Sequence, residues 1–164
     1  KLGYPFIVKR LEGTQGMGVY LVKNEIDAHE LFNRFRRNKE RILLQEFVSE
    51  FKGKDIRVFV VGKKVVASMM RIAGEGEFRS NIHQGGIGQK VVLSEEEKEM
   101  AVRAVSVLGL NIAGVDILRS KRGGMIIEVN SSPGLEGIEG VTGVKIAEEI
   151  IEFVEEKYLY ADRG

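Results

Sequence analysis

Short apolar segments, separated by glycine-rich or polar turns, make up most of the chain. Those that are rich in β-branched and aromatic residues predict strands at residues 5–11, 19–22, 42–48, 56–61, 65–70, 112–118 and 125–129. Gly62-Lys63 predicts a tight turn between two of these strands. The order of segments, with hairpins and mixed connections, favours antiparallel-rich sheets.

Apolar residues at helical spacing predict three helices. Asp27 can cap the first, and Thr142 can cap the last. Ser94 and Glu97 form the pattern of a capping box for the middle helix, which Gly109 can end. The residues expected to face inward are Ala28, Leu31, Phe32 and Phe35; Ala101, Ala104, Val105 and Leu108; and Val144, Ala147, Ile151, Val154 and Tyr158. Helices on antiparallel-rich sheets predict an α+β protein.

The composition and the net charge argue against several classes of protein and of functional site. With 164 residues, 43% of them hydrophobic, the chain can bury a core as one domain or two small lobes. No apolar run is long enough to span a bilayer and no leader precedes the first strand, so we expect a cytoplasmic protein without membrane contact. A net charge of +1 gives no basic face for nucleic acid. Without cysteine there is no disulfide, thiolate metal site or cysteine nucleophile.

A lysine within an apolar strand precedes a glycine-rich turn. Lys9 shares a strand face with Ile7 and Leu11, so its ammonium needs a partner. One interpretation is a phosphate ligand, with backbone N–H groups of residues 13–18 forming an anion-binding concavity nearby. The alternative is a lysine stem that lies along apolar surface and reaches the sheet edge. A lysine ahead of its glycine turn disfavours a Walker P-loop and a protein kinase.

Two carboxylates and an amide fall on a predicted hairpin. Glu128 and Asn130 project from one face of their strand, and Asp116 on the preceding strand should lie opposite Ile127 or Glu128. Carboxylates this close repel each other unless a cation or a proton joins them, and Mg²⁺ prefers such oxygen ligands. The alternative is the solvated face of an amphipathic hairpin.

Residues 74–88 form a long polar segment that contains Arg79, Ser80 and Asn81. Long connections of this kind are often functional, and an arginine there could stabilise negative charge on a phosphoryl group. The alternative is an ordinary solvated loop.

Taken together, the motifs resemble the RimK branch of the ATP-grasp superfamily. Six segments match in order and span nearly the whole chain: residues 8–19, 45–48, 55–57, 78–81, 113–118 and 128–137. The resemblance implies two α+β lobes with mixed, largely antiparallel sheets that clasp a nucleotide, at residues 1–48 and 49–164. It also implies that a further N-terminal domain of the family is absent from this chain.

The resemblance also implies roles for individual residues. Lys9 and the loop that contains Gly13, Gly16 and Gly18 would contact the phosphates; Glu46, Phe47 and Val48 would meet adenine; and Asp55 would lie near the ribose. Arg79, Ser80 and Asn81 would lie at the phosphates, with Arg79 as the catalytic cation. Asp116, Glu128 and Asn130 would hold Mg²⁺, or Mn²⁺ in its place.

The implied reaction is an ATP-dependent, ADP-forming ligation of L-glutamate to a carboxylate through an acyl phosphate. The implied acceptor is the C-terminus of a ribosomal protein. A small acceptor in cofactor or lysine biosynthesis is an alternative, and so is an ATP-binding module without catalysis. We expect the full-length protein to be a homo-oligomer.

Overall fold

The computed structural model describes residues 2–12, 18–74, 77 and 86–159. The chain divides into two compact units, Lys1–Ser49 and Glu50–Gly164. Each unit contains an antiparallel sheet with helices packed on it, so the predicted α+β class is confirmed. No helix in these residues is long and apolar enough to span a membrane.

The first unit is a three-stranded sheet with one helix on it. Its elements are β1 (Phe6–Arg10), β2 (Val19–Val22), α1 (Glu25–Arg37) and β3 (Ile42–Glu46). The sheet order is β2-β1-β3, and both pairs are antiparallel. Phe6 and Val8 of β1 point to α1, where they pack with Ala28 and Phe35. The alternate residues, Lys9 among them, lie on the other face of the sheet.

The start of α1 differs from the prediction. The cap is Asn24, whose Oδ1 accepts a hydrogen bond from the backbone N–H of Asp27 at 2.9 Å. Asp27 therefore lies inside the first turn, where its charge favours the positive end of the helix dipole. Both residues have acceptor side chains, and the sequence alone favoured the one that lies three positions too late.

The second unit is a five-stranded antiparallel sheet of order β6-β5-β4-β7-β8. A 3₁₀ helix, Ser49–Phe51, spans the junction of the units along the chain. The elements that follow are β4 (Lys54–Val61), β5 (Lys64–Ile72), β6 (Ile87–Lys90), α2 (Glu95–Val107), β7 (Ile112–Ser120), β8 (Gly123–Asn130), α3 (Glu136–Thr142) and α4 (Ile146–Val154), with a π-helical turn at Glu155–Leu159. The short strand β6 and helix α3 were not predicted.

Helices cover both faces of this sheet. On one face, Ala101 and Val105 of α2 pack on a buried row that includes Val58 and Val115. On the other face, Ile138 of α3 and Ile146 of α4 pack on Phe59. Because the central strands β4 and β7 are buried on both faces, a charged side chain on them needs a partner inside the protein.

The last predicted helix corresponds to α4, which begins at Ile146 and has no cap at Thr142. Thr142 ends α3, and its Oγ1 donates to the carbonyl of Ile138 at 2.7 Å, so it does not cap α4. The inward stripe of α4 is Ile146, Ile150 and Phe153. Val144 of the predicted stripe does pack against this core. The other predicted residues are exposed, so from residue 147 onward the stripe is wrong by about one residue: Ala147, Ile151 (58% exposed), Val154 and Tyr158. Leu108 of the α2 prediction is also exposed, at 59%.

The capping box of α2 is confirmed, and it anchors the helix to the sheet. Ser94 and Glu97 exchange backbone-to-side-chain hydrogen bonds. Glu97 also accepts two hydrogen bonds from the Arg119 guanidinium of β7, at 2.7 and 2.8 Å. The hydrogen bond from Arg119 lowers the pKa of Glu97 below its ordinary value of 4.5, although burial acts to raise it.

This ion pair predicts an acid-sensitive contribution to stability. Because the folded-state pKa of Glu97 is lowered, the pair stabilises the fold above about pH 4.5 and loses that effect as the pH falls through the folded-state value. Glu97→Gln is therefore expected to lower the free energy of unfolding by about 1 kcal/mol at pH 7. Urea unfolding at pH 7 and pH 3 should show that the difference from wild type shrinks in acid, whereas an equal difference at both pH values would contradict this assignment.

Candidate functional site

Four charged residues meet on the face of the five-stranded sheet that carries α3 and α4. Asp55 and Arg57 lie on β4, Arg71 on β5 and Asp116 on β7. They alternate along their strands with residues of the opposite core, such as Ile56 and Val115, and so share one face. Asp55 pairs with Arg71 in the strand register, and Arg57 pairs with Asp116.

We call these four residues the charge network. Arg57 donates through Nε to Asp116 Oδ1 and through Nη2 to Asp116 Oδ2, the latter at 3.0 Å. Arg71 donates through Nε and Nη2 to the two oxygens of Asp55, at 2.6 and 2.7 Å. The same Nη2 also donates to Asp116 Oδ2 at 2.8 Å. Two carboxylates and two guanidiniums therefore balance in charge, and all four side chains are 13% exposed or less.

The network keeps Asp116 and Arg71 ionised. Burial raises the pKa of Asp116, but the charge of Arg71 and the hydrogen bond from Arg57 lower it by more, so it lies below its ordinary value of 3.8. Burial likewise lowers the pKa of Arg71, and the charges of Asp116 and Asp55 outweigh this effect and raise it. Asp116 is therefore a carboxylate at neutral pH.

A β-bulge brings Glu128 beside Asp116. Counting from the turn between β7 and β8, Ser120 pairs with Gly123 and Ile117 pairs with Ile126. The next residue of β7, Asp116, pairs with Glu128. Ile127 is the extra residue. Without the bulge, Asp116 would face Ile127 and Glu128 would point towards the α2 core. The bulge therefore places Glu128 and Asn130 on the face of the charge network.

Asn130 begins a tight turn against the sheet. Its Oδ1 accepts a hydrogen bond from the backbone N–H of Ser132 at 2.9 Å. The turn brings Pro133 over Gly114, the cross-strand partner of Asn130. A Cβ atom at Gly114 would lie 2.8 Å from Pro133 Cβ and 3.2 Å from Arg57 Cδ. Gly114 thus leaves room for both the turn and the arginine.

The oxygen set on this face suits Mg²⁺ in kind, being two carboxylates and an amide. Glu128 is exposed, and it forms no ion pair with the part of the chain that the structure describes. Asp116 already accepts hydrogen bonds from both arginines. No group of three or more His, Cys, Asp and Glu side chains arranged for a metal occurs among the described residues. The donor set therefore fits a cation that also receives oxygens from a substrate.

The predicted nucleotide residues of the first unit that the structure describes lie on its three-stranded sheet or directly next to its strands. Lys9 is half-buried in β1, between Val19 and Leu43 in the strand register. Gly18 has a φ of +93°, and its carbonyl accepts a hydrogen bond from the backbone N–H of Arg10 at 2.9 Å. Glu46 is exposed at the end of β3, followed by half-buried Phe47 and buried Val48.

Other predicted residues lie outside the described part of the chain. These are Gly13, Gly16, Arg79, Ser80 and Asn81. Their positions relative to the charge network stay predictions.

Comparison with known proteins identifies the family of the chain. The family model described as the RimK-like ATP-grasp domain matches residues 1–154. The chain belongs to the RimK-like ATP-grasp family. The resemblance based on the six ordered segments is thereby confirmed.

Relatives of this RimK-like chain carry a consistent name. "Probable alpha-L-glutamate ligase 1" of Shewanella sp. (strain MR-4) is 53% identical over 157 residues, which are 96% of this chain and 52% of the relative. "Probable alpha-L-glutamate ligase" of Syntrophotalea carbinolica is 56% identical over 153 residues, 93% of this chain and 51% of the relative. The chain spans about half the length of the curated relatives it matches.

Solved structures confirm the ATP-grasp fold. The D-alanine–D-alanine ligase of Bacillus anthracis complexed with ATP has a TM-score of 0.72 at 16% identity, over 99% of this chain and 55% of that one. The ATP-grasp ligase PsnB complexed with a minimal precursor has a TM-score of 0.66 at 25% identity, over 92% of this chain and 48% of that one.

Sequence reasoning missed Arg57 and Arg71 as parts of the site. Both lie within apolar strands, where a buried guanidinium is rarely found without an anionic partner. That signal was present in the sequence. It could have led to a search for buried acids on neighbouring strands, and Asp55 and Asp116 are those acids.

Proposed function

We propose that the protein is an ATP-dependent, ADP-forming ligase that joins L-glutamate to a carboxylate acceptor by an amide bond. Membership of the RimK-like family supports an ATP-grasp enzyme. The name shared by relatives at 53–56% identity supports glutamate as the amine substrate.

The observation that carries the proposal is the shared face of Asp116, Glu128 and Asn130 beside the charge network. We assign these three side chains to Mg²⁺, with Mn²⁺ as a substitute. The cation would offset negative charge on the nucleotide phosphates. Asp116 is ionised and fixed by two arginines, and exposed Glu128 supplies the negative charge that the network does not neutralise.

The nucleotide roles follow the family resemblance. Lys9 and the glycine loop (Gly13, Gly16, Gly18) would contact the phosphates, with Arg79, Ser80 and Asn81 beside them. The segment Glu46, Phe47 and Val48 would meet adenine. Asp55 would accept hydrogen bonds from the ribose. The alternation of strand residues supports Lys9 in this role, because it places the ammonium on the sheet face away from α1.

The proposed reaction has two steps. An acceptor carboxylate oxygen attacks the γ-phosphorus of ATP, the bond to the β–γ bridging oxygen breaks, and an acyl phosphate and ADP form. The glutamate nitrogen then attacks the acyl carbon, the C–O bond to phosphate breaks, and nitrogen loses a proton to give the amide. No side-chain nucleophile is needed, so the protein acts by positioning and by charge, through residues such as Lys9 and Arg79.

The acceptor in this proposal is the C-terminus of a polypeptide, a ribosomal protein in the first instance. The PsnB structures contain a precursor peptide, which supports a polypeptide as acceptor. A small carboxylate of cofactor or lysine biosynthesis is the alternative within the same chemistry.

Mass spectrometry tests the proposal with protein of natural length, ATP, Mg²⁺, glutamate and candidate acceptors. We expect an acceptor to gain one or more glutamate masses while ADP accumulates. Lys9→Met should lower ADP formation by about ten- to a hundredfold, since a charge-assisted phosphate contact contributes about 1.5–3 kcal/mol. Lys23→Met, an exposed lysine just after β2, is the matched control and should retain activity.

The outcomes separate the alternatives. If only a small acceptor gains glutamate, the small carboxylate is the acceptor and the polypeptide acceptor is wrong. Nucleotide binding without glutamate transfer to any acceptor would contradict the ligase and leave an ATP-binding module.

A further inference from the structure

The charge network has an unequal arrangement of hydrogen bonds. Arg57 contacts Asp116 with two N–H groups, and Arg71 contacts Asp55 in the same way. Within the described part of the chain, one hydrogen bond joins the two pairs, from Arg71 Nη2 to Asp116 Oδ2 at 2.8 Å. Arg71 can therefore release Asp116 and remain held by Asp55, whereas Arg57 would lose the only carboxylate that it contacts among the described residues.

The hydrogen bond from Arg71 fills the second acceptor position of Asp116 Oδ2. Asp116 Oδ2 accepts N–H groups from both arginines, at 3.0 and 2.8 Å. A carboxylate oxygen has about two lone pairs, so Oδ2 is fully used. Oδ1 accepts from Arg57 Nε. A cation that binds through Oδ2 must displace one N–H group, and that of Arg71 is the more easily displaced.

The charges lead to the same conclusion. The two guanidiniums cancel the two aspartates, so Glu128 alone gives this face a net negative charge among the described members of the site. A divalent cation that arrives by itself meets a nearly neutral site and two nearby guanidiniums. A cation that arrives with anionic oxygens brings a new acceptor for the Arg71 N–H group that it displaces from Asp116. Without that acceptor, the N–H group would stay buried and unsatisfied.

We propose that Arg71 is a positioning residue that withholds Asp116 from a free divalent cation, so that metal binds together with nucleotide phosphate. The inference rests on the proposed function, since it concerns the same site. It makes metal and nucleotide binding interdependent through one hydrogen bond.

Titration with Mn²⁺ in the absence of nucleotide tests the withholding role of Arg71. The Mn²⁺ affinity is measured by calorimetry or by the electron paramagnetic resonance of free Mn²⁺. Arg71→Met keeps most of the side-chain volume and removes the donor and the charge. We expect Mn²⁺ to bind this variant more tightly than wild type, on the order of tenfold. Structural damage would not produce this result, because it would weaken binding.

Two further variants complete the design. Asp55→Asn combined with Arg71→Met removes one charge of each sign, so the buried charges stay balanced. This double variant serves if the single variant folds poorly, and it should show the same gain in Mn²⁺ affinity. Arg119→Met is the matched control, because it removes an ion-paired arginine from the opposite face of the same sheet. It should leave the Mn²⁺ affinity unchanged.

Parallel titration of wild type with Mn²⁺ and ADP distinguishes the two claims. If wild type does not bind Mn²⁺ and ADP together, the proposed function fails. If it does, and neither Arg71 variant gains affinity for Mn²⁺ alone, the withholding role of Arg71 is wrong. A gain in the Arg119 control equal to that of the Arg71 variants would also overturn it.

Discussion

Asp116→Ala is expected to lower the free energy of unfolding by about 3–5 kcal/mol and to abolish Mg²⁺-dependent nucleotide binding. The stability loss follows from the charge network, because Arg57 loses its carboxylate partner and Arg71 loses one of its two. Both guanidiniums are largely buried, so the loss of the carboxylate leaves their charge poorly compensated. Urea unfolding and calorimetry with ADP and Mg²⁺ measure the two effects.

Glu128→Gln is the matched control for Asp116→Ala. Glu128 lies opposite Asp116 in the strand register, but it is exposed. Its replacement should therefore weaken metal-dependent binding and change the free energy of unfolding by less than about 0.5 kcal/mol. An Asp116→Ala protein as stable as wild type would contradict the structural role of the network. Unchanged nucleotide affinity in both variants would contradict the metal assignment.

Gly114→Ala is expected to lower the free energy of unfolding by about 1–3 kcal/mol and to weaken metal-dependent nucleotide binding about tenfold. The new methyl group would lie 2.8 Å from Pro133 Cβ, a rigid ring atom, and 3.2 Å from Arg57 Cδ. Either the turn that follows Asn130 moves away or Arg57 shifts relative to Asp116. Both movements disturb the predicted metal ligands.

Gly134→Ala is the control for Gly114→Ala, in the same segment as Pro133. A Cβ atom at Gly134 meets no other atom within 4 Å. We expect a change in stability of less than about 0.5 kcal/mol and an unchanged nucleotide affinity. If the two alanine variants behave alike, the close approach over Gly114 has no role in the site.

The strands were predictable because their apolar character reflects burial directly. The predicted strand 19–22 coincides with β2, and the other six predicted segments overlap β1, β3, β4, β5, β7 and β8. The inward stripe of α1 was also correct, since Ala28, Leu31, Phe32 and Phe35 all belong to its core. The inward stripe of the last helix was not predicted correctly. Residues 144–158 have apolar side chains on several sides, and only the break after Thr142 determines which of them face the sheet.

The structure brings the predicted residues Asp116, Glu128 and Asn130 to one face of the sheet, but the sequence did not reveal their contacts. The sequence left Asp116 opposite Ile127 or Glu128, and the bulge at Ile127 decides between them. A bulge depends on the packing of both faces, which residue order along one strand does not reveal. The partners of Asp116 were hidden for a similar reason. Arg57 and Arg71 lie 59 and 45 positions away in the chain, and only the sheet order brings them together.

A crystal structure with ADP and Mn²⁺ tests the central claim most directly, through the anomalous scattering of manganese. We predict an anomalous peak within about 2.5 Å of side-chain oxygens of Asp116, Glu128 and Asn130, next to the nucleotide phosphates. A peak that contacts none of these oxygens, or bound ADP with its phosphates away from this face of the five-stranded sheet, would contradict the account.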